Sequence, residues 1–401
     1  MKNVAGIDVH KDFLEIAYRE EGKIVTKRIP YDANGLNKVI RLLRKLGIEA
    51  VFIESTGNYY YPLYYALRGA NIKVNVMNAY KIKRPEPNKT DEKDAIWLLK
   101  IGESQLFSSS YIPDDDMLAL RMLVRARFKL VDRIADYKRM VRSQLWNLGM
   151  IVSNIASVLK SREKRRRLKA IIDGKEVRGY ESLSLAIKAI MRRRDVRANL
   201  VLIKAYLEII DNLEDSLSKI DREIKAIAGK YEREIRILMS VPGISFTLAV
   251  AILSEIGDVS RFPSSGHLAS YAGLAPVVRE SGGKRKTIKP TQKSNKYLRR
   301  YMFIAALGAA RSKSPKVREF VDRLSSRGKH FKVVMVALAR KLLTIIWYLL
   351  SRRVFWSEDG FSKKVPRVPR VRGHKISLSE AIKLLREAGY EVRRGRRDKE
   401  K

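Results

Sequence analysis

The chain has 401 residues, 45% of them hydrophobic, with 83 Lys and Arg against 43 Asp and Glu and a formal net charge of +40 at pH 7. It has no cysteine, and its four histidines (His10, His267, His330 and His374) are scattered, which excludes disulfides, thiolate centres and cysteine nucleophiles and argues against a histidine zinc site. A field of this sign attracts polyanions, so nucleic acid is the leading partner class, with a charge-rich surface of thermophilic type as the competing account.

The length suggests about two to four domains. The amino terminus, MKNVAGIDVHKD, lacks the apolar core of a signal peptide. Residues 2–8 read as a buried strand ending on Asp8. Residues 13–19 and 23–29 read as hairpin partners around an REEGK turn. Asn34 is expected to cap a helix with Leu36, Val39, Ile40, Leu42, Leu43 and Leu46 on its apolar face and Gly47 as its stop. Residues 50–55 read as a strand with Glu54 at its end, 57–69 as a helix, and 72–77 as a short strand. Tyr59, Tyr60, Tyr61, Tyr64 and Tyr65 suit either a core face or a platform for stacked bases. A loop with Pro85 and Pro87 leads to KTDEKDAIW (89–97). There Thr90 is a good helix cap and Asp91 the first helical residue. This order predicts an α/β layer with a mixed sheet.

The next region changes character. Apolar residues recur from Leu123 through Leu130, Ile134, Tyr137, Val141, Leu145 and Leu148, and again from Ile203 to Ile227. The spacing predicts two long amphipathic helices that pack as an antiparallel pair or against another subunit. Between them lies a basic, partly flexible insert with a KRRR run at 164–167, suited either to a solvated tip or to phosphate. From about residue 236 the chain reads as globular and helical. SVPGIS (240–245) fits a helix-hairpin-helix turn facing a phosphate or a plain helical hairpin. The apolar stretch 333–350 is interrupted by Arg340 and Lys341 and is short for a bilayer, so a soluble, cytoplasmic, nucleoid-associated protein without membrane contact is expected. VPRVPRVRGHK reads as a linker or arm, and SLSEAIKLLREAGYEV as one small helix with a Ser377–Glu380 capping box.

Asp8 and Glu54 end strands, where ligands bind in open α/β layers. Asp91 and Asp94 are three apart and share a helix face. Each aspartate alone is accounted for as a helix cap, which stabilises by roughly 0.3–1 kcal/mol. Together, Asp8, Glu54, Asp91 and Asp94 are expected to converge on Mg²⁺, with Mn²⁺ as a substitute, because an oxygen-only set suits hard cations. Two such ions stabilise the attacking and leaving oxygens at phosphorus.

GIDVHKD, IESTGNYYYPL and KTDEKDA resemble the ribonuclease H/RuvC-type domain of the DEDD insertion-sequence transposases, a family that includes Piv-type invertases and bridge-RNA-guided serine recombinases. SVPGISFTLAVAILSEIGD, FPSSGHLASYAGLAPVVRESGG and LRRYMFIAALGA resemble its C-terminal transposase domain. The resemblance implies an α/β RNase H/RuvC-like metal-binding domain (1–112), a long helical coiled-coil segment with the basic insert (113–235), a mostly α-helical transposase domain (236–352) and a basic tail (353–401). It implies a DNA recombinase in which Ser281, in the ESG element, is the nucleophile that becomes joined to DNA. A hydroxyl needs activation, which the carboxylates and metal supply. Gly282 and Gly283 allow close approach, and Lys284, Arg285 and Lys286 meet phosphate. Lys293, Arg299, Arg300, Arg165 and Arg166 complete the expected nucleic-acid contacts. The implied partners are target and donor DNA, a structured guide RNA, and further copies in a dimer or tetramer. The chain departs from the family where Gly283 and Lys284 follow the serine in place of a hydroxyl residue, and at Ser294, which stands where relatives carry glycine and competes with Ser281. Rival readings are a Holliday-junction-type nuclease using water and a catalytically decayed nucleic-acid-binding protein.

Overall fold

The computed structural model describes residues 3–55, 57–77, 90–104, 111–148, 158–181, 184, 185, 187, 193–275, 277–281, 284–288 and 294–362, with backbone only at 277–281, 284–288 and 360–362. The chain divides into two compact units, Met1–Ala119 and Leu120–Lys401.

In the first unit, β1 (Val4–Val9), β2 (Phe13–Glu20) and β3 (Lys23–Pro30) form an antiparallel meander. Glu21 (φ 48°) and Gly22 (φ 79°) make the β2–β3 turn, whose two left-handed residues match the twist of the strands. Helix α1 (Ala33–Lys45) leads to β4 (Ala50–Glu54), and α2 (Tyr60–Gly69) to β5 (Lys73–Met77), both strands parallel to β1. The sheet order is β3-β2-β1-β4-β5. The expected mixed layer is therefore present.

Both faces of the sheet are covered. Ile7, Ile16, Val51 and Ile53 pack with Val39 and Leu43 of α1 and Leu63 and Leu67 of α2. Ala17, Ala50, Phe52 and Met77 on the opposite face pack with Ala95, Leu98 and Leu99 of α3 (Asp91–Ser104). The cap of α1 is Asp32, whose side chain accepts from Gly35 N at 2.7 Å, in place of the expected Asn34. Asp32 wins because its carboxylate lies three residues before a free N–H, the geometry of an N-cap. The tyrosines at and within α2 divide: Tyr60 is buried, while Tyr59, just before the helix, and Tyr65 are exposed.

In the second unit, the part of α4 (Asp115–Asn147) from Leu120 onward and α6 (Arg194–Ala228) run antiparallel. Arg127 pairs with Asp221 and Lys138 with Glu214, so position rises along one helix as it falls along the other. Ile134, Val141 and Leu145 meet Ile203, Leu207 and Ile210 between them. The 150–200 insert, expected to be partly flexible, carries α5 (Arg162–Ile172), whose Leu168, Ile171 and Ile172 are buried in the same core. Then come α7 (Glu232–Ser240), α8 (Phe246–Ile256), α9 (Ser265–Tyr271), the hairpin β6–β7 (Val277–Ser281 and Lys284–Ile288), α10 (Lys296–Ala310), α11 (Pro315–Ser325), α12 (Phe331–Arg352) and the hairpin β8–β9 (Phe355–Ser357 and Gly360–Ser362). The Pro-Gly turn before α8 is pressed against α10: Gly243 has φ +82°, and a Cβ there would stand 2.1 Å from Ala309 N. The expected tail helix lies outside the described residues.

Candidate active site

Strand register places the first two carboxylates. Ile7 faces Ile53 across β1 and β4, so Asp8 and Glu54, each one residue further on, stand level. Adjacent strands are about 4.7–4.9 Å apart. Asp8 lies two residues beyond Gly6 and Glu54 two beyond Phe52, so both belong to the face that α3 covers.

Helix α3 approaches that face very closely. A Cβ on Gly6 would lie 2.2 Å from Ala95 O and 2.4 Å from Leu99 N, so only a glycine lets the helix backbone rest on β1. Thr90 caps the helix as expected, its Oγ1 accepting from Lys93 N at 3.3 Å. Ala95 and Leu98 are buried against the sheet. Asp91 and Asp94, each four residues earlier, extend that stripe by one turn. The four carboxylates thus share one face and one end of one sheet. Their donor chemistry suits a hard divalent cation. Among the described residues, no three His, Asp or Glu side chains are gathered closely enough to hold a metal ion as they stand.

Register also reveals two residues that sequence reasoning missed. Asp8 lies directly opposite Glu15 on β2, and Glu15 opposite Arg28 on β3. Glu15 is only 5% exposed. Arg28 Nε donates to Glu15 Oε2 at 2.7 Å, and the guanidinium sits 4.0 Å over the Phe13 ring. The guanidinium also lies 4.0 Å from Asp91 Oδ2. The hydrogen bond to Glu15 raises the Arg28 pKa. Thr26 Oγ1 donates to Glu92 Oε1 at 3.0 Å, so β3 meets the first turn of α3 twice. The signal was the strict alternation of FLEIAYR and KIVTKRI, which sets Glu15 and Arg28 on one face once the hairpin register is known.

Ser281 belongs to the second unit, as the last residue of β6 and the partner of Lys284. The segment carrying it leaves and returns at one point. Asn295 N donates to Tyr271 O at 2.7 Å. Asn295 Nδ2 donates to Glu255 Oε2 at 2.8 Å and to Tyr271 Oη at 2.9 Å. Asn295 Oδ1 accepts from Tyr297 N and Leu298 N, both at 3.0 Å, capping α10. Glu255 is fully buried and takes both Nε and a terminal nitrogen of Arg125, at 2.6 and 2.7 Å. Burial pulls the Arg125 pKa down, but the hydrogen bond and charge of Glu255 outweigh it and the net direction is upward.

Two family models match the chain. The DEDD transposase model of the IS110 type, described as "Transposase", matches residues 5–149, and "Transposase IS116/IS110/IS902 family" matches residues 235–322. The chain belongs to this transposase family. It is 24% identical over 360 residues to "Transposase for insertion sequence element IS1111A" of Coxiella burnetii, covering 87% of this chain and 90% of that protein. It is 26% identical over 314 residues to the "Pilin gene-inverting protein" of Moraxella bovis, covering 75% and 80%. A chain of T. thermophilus RuvC in complex with Holliday junction substrate aligns at 13% identity with a TM-score of 0.21, covering 27% of this chain and all of that one. At that score the likeness carries no weight.

The basic residues of this transposase-family chain separate on inspection. Arg165, expected to meet nucleic acid, is fully buried instead. It donates to Asp211 Oδ1 at 2.9 Å, to Leu159 O at 3.1 Å and to Glu214. A guanidinium fully buried among these three partners is out of reach of a phosphate. Arg166 beside it is exposed. Arg299 donates to Ser294 Oγ and, at 3.3 Å, to Ala272 O. Arg300 makes a two-point pair with Asp132 at 2.7 and 2.6 Å, and its hydrogen bonds lower the Asp132 pKa. The side chains of Lys284, Arg285 and Lys286 and the whole of Lys293 lie outside the described residues.

Proposed function

We propose that the chain is a DNA transposase or recombinase that cuts and rejoins strands through Ser281. The observation that carries this reading is the level placement of Asp8 and Glu54 under the acidic start of α3, in a chain of net charge +40. Asp8, Glu54, Asp91 and Asp94 would hold divalent metal, which supplies charge neutralisation at the scissile phosphate and eases loss of the hydroxyl proton. The Ser281 hydroxyl attacks phosphorus, a serine–phosphate ester forms, and a DNA hydroxyl departs with the proton. A hydroxyl from the second strand reverses the step and frees the serine. Because one ester replaces another, no external energy source is needed. The basic surface holds DNA and, by family likeness, a structured guide RNA. The serine and the acidic face come from one copy or from two copies in an oligomer.

The test uses the purified chain and a plasmid carrying the DNA that flanks its coding sequence, with the RNA that co-purifies. Asp8→Asn and Ser281→Ala are each expected to abolish strand exchange while leaving DNA binding within about threefold, as removal of groups used only at the transition state predicts. A protein–DNA adduct trapped by denaturation is expected in the parent and absent in Ser281→Ala. An adduct that persists in Ser281→Ala, or cleavage by that variant without an adduct, overturns the serine assignment.

A further inference from the structure

Among the described residues, β6 and β7 pair with each other and with no other strand. A lone two-stranded hairpin is at best marginally stable in water, so the direction of this one depends on its base. Ser281 pairs with Lys284 at the far end, four residues beyond Val277. At roughly 3.4 Å per residue, that makes a lever of about 14 Å. A tilt of about 4° at the base shifts the tip by about 1 Å, and a misplacement of that size costs about 10²-fold in rate.

Three contacts pin the base. Gly273, with φ +66°, comes so close to Ser294 that a Cβ would stand 2.4 Å from Ser294 Oγ. Arg299 bridges both sides, donating to Ala272 O on the outgoing side and to Ser294 Oγ on the returning one. Asn295 makes the largest set of contacts. Its main-chain N–H and one side-chain N–H go to Tyr271, its other side-chain N–H goes to Glu255, and its Oδ1 caps α10. A carboxamide offers two donors and one oxygen with two lone pairs, and here all of them are used.

Glu255 anchors the asparagine. It is fully buried in a mostly apolar helix, α8. Arg125 holds it at 2.6 and 2.7 Å, and Arg121 Nε lies 3.8 Å from its Oε2. Well-packed apolar residues in place of a buried ion pair are often neutral or stabilising, so stability alone does not account for a carboxylate at this position. The same Oε2 accepts from Asn295 at 2.8 Å.

We infer that Asn295, with Glu255 behind it, is a positioning residue for Ser281: the pair clasps the two ends of the 272–294 segment together and so fixes the direction in which its hairpin points. The inference rests on the serine reading above and adds which residues hold the segment that carries the serine.

The chain has no cysteine, so Ser281→Cys gives the full chain a single site for a nitroxide label. Asn295→Asp is the deciding variant. Aspartate caps a helix as well as asparagine does, so α10 keeps its start, but both side-chain donors are lost and a second carboxylate faces Glu255. Electron paramagnetic resonance is expected to show several-fold faster motion of the label at position 281, with the thermal melt little moved. In unlabelled protein that retains Ser281, kcat for strand exchange is expected to fall about 10²-fold while KM for DNA stays within about threefold. Adding Glu255→Gln returns a donor to the pair with the polarity reversed, and is expected to restore the slow label and most of the rate. The inference is overturned if Asn295→Asp leaves either label motion or kcat at the parent value, or if the double variant fails to recover them. If Asn295→Asp does not fold, the double variant must restore both the melt and the slow label, and failure to do so rejects the clasp. The label is read without DNA, so an adduct that persists in Ser281→Ala ends the serine reading and is told apart from each of these results.

Discussion

Arg165 shows how much a single side chain's surroundings decide. The run Lys164–Arg167 looks like four equivalent cations, yet position 165 turns inward and spends its donors on Asp211, Glu214 and a carbonyl. Burial pushes the Asp211 pKa up, but the hydrogen bonds of Lys169 and Arg165 outweigh it and the net direction is downward. A carboxyl whose folded pKa is lowered stabilises the fold above its ordinary range, and that contribution is lost as pH falls through the lowered value. Asp211→Ala leaves a buried guanidinium short of a partner, and Glu214 remains to share it. The expected loss is therefore near the lower end of about 3–5 kcal/mol at pH 7. Thermal melts between about pH 7 and pH 3 should show a flatter acid dependence for Asp211→Asn than for the parent. An unchanged slope would show that Asp211 carries no charge-dependent stability.

At the scale of elements, α3 is the part on which the candidate site depends, and Gly6 is what seats it. A methyl group at position 6 meets backbone atoms, which have nowhere to move short of the helix shifting. Gly6→Ala is expected to destabilise by about 1–3 kcal/mol through overpacking. It should also lower strand-exchange activity by about 10²-fold, because the aspartates of α3 move with their helix. Circular dichroism melts and the plasmid assay check the two halves. Retained activity at full stability loss would show that α3 need not be seated closely. Most of this layer is legible in the sequence, since alternating strands, Gly and Pro punctuation and the Thr90 cap all speak locally. The pairing of Glu15 with Arg28 is not, because it depends on which residues face each other across a turn. Neither is the β6–β7 hairpin, whose RESGGKRK run shows no apolar alternation, nor the buried Glu255, which sits in a mostly apolar helix. The opposite surprise comes from the basic insert, where Leu168, Ile171 and Ile172 bury a helix face that its charges conceal.

For the whole molecule, the dominant property is its charge. Contacts with six to ten phosphates would make affinity for a generic duplex fall by about 10³–10⁵ between roughly 50 and 200 mM salt. Fluorescence anisotropy across that range checks it, and a shallow slope would mean that few of the 83 cations face nucleic acid. Helix α12 is long and apolar enough to cross a membrane by length and composition, although the sequence stretch looks short for that. Half of its most apolar window is buried within the protein, and Trp347 Nε1 donates to Phe262 O at 3.0 Å.

The level row across β3, β2, β1 and β4 has a consequence for inheritance. Its members are neighbours by hydrogen-bond counting, so loss of one codon between Phe13 and Glu15 would bring Ile16 to face Asp8 and send the acidic side chain to the opposite surface. A copy of the gene damaged in that way could still encode the same strands in the same order, and its protein would no longer set Glu15 between Asp8 and Arg28.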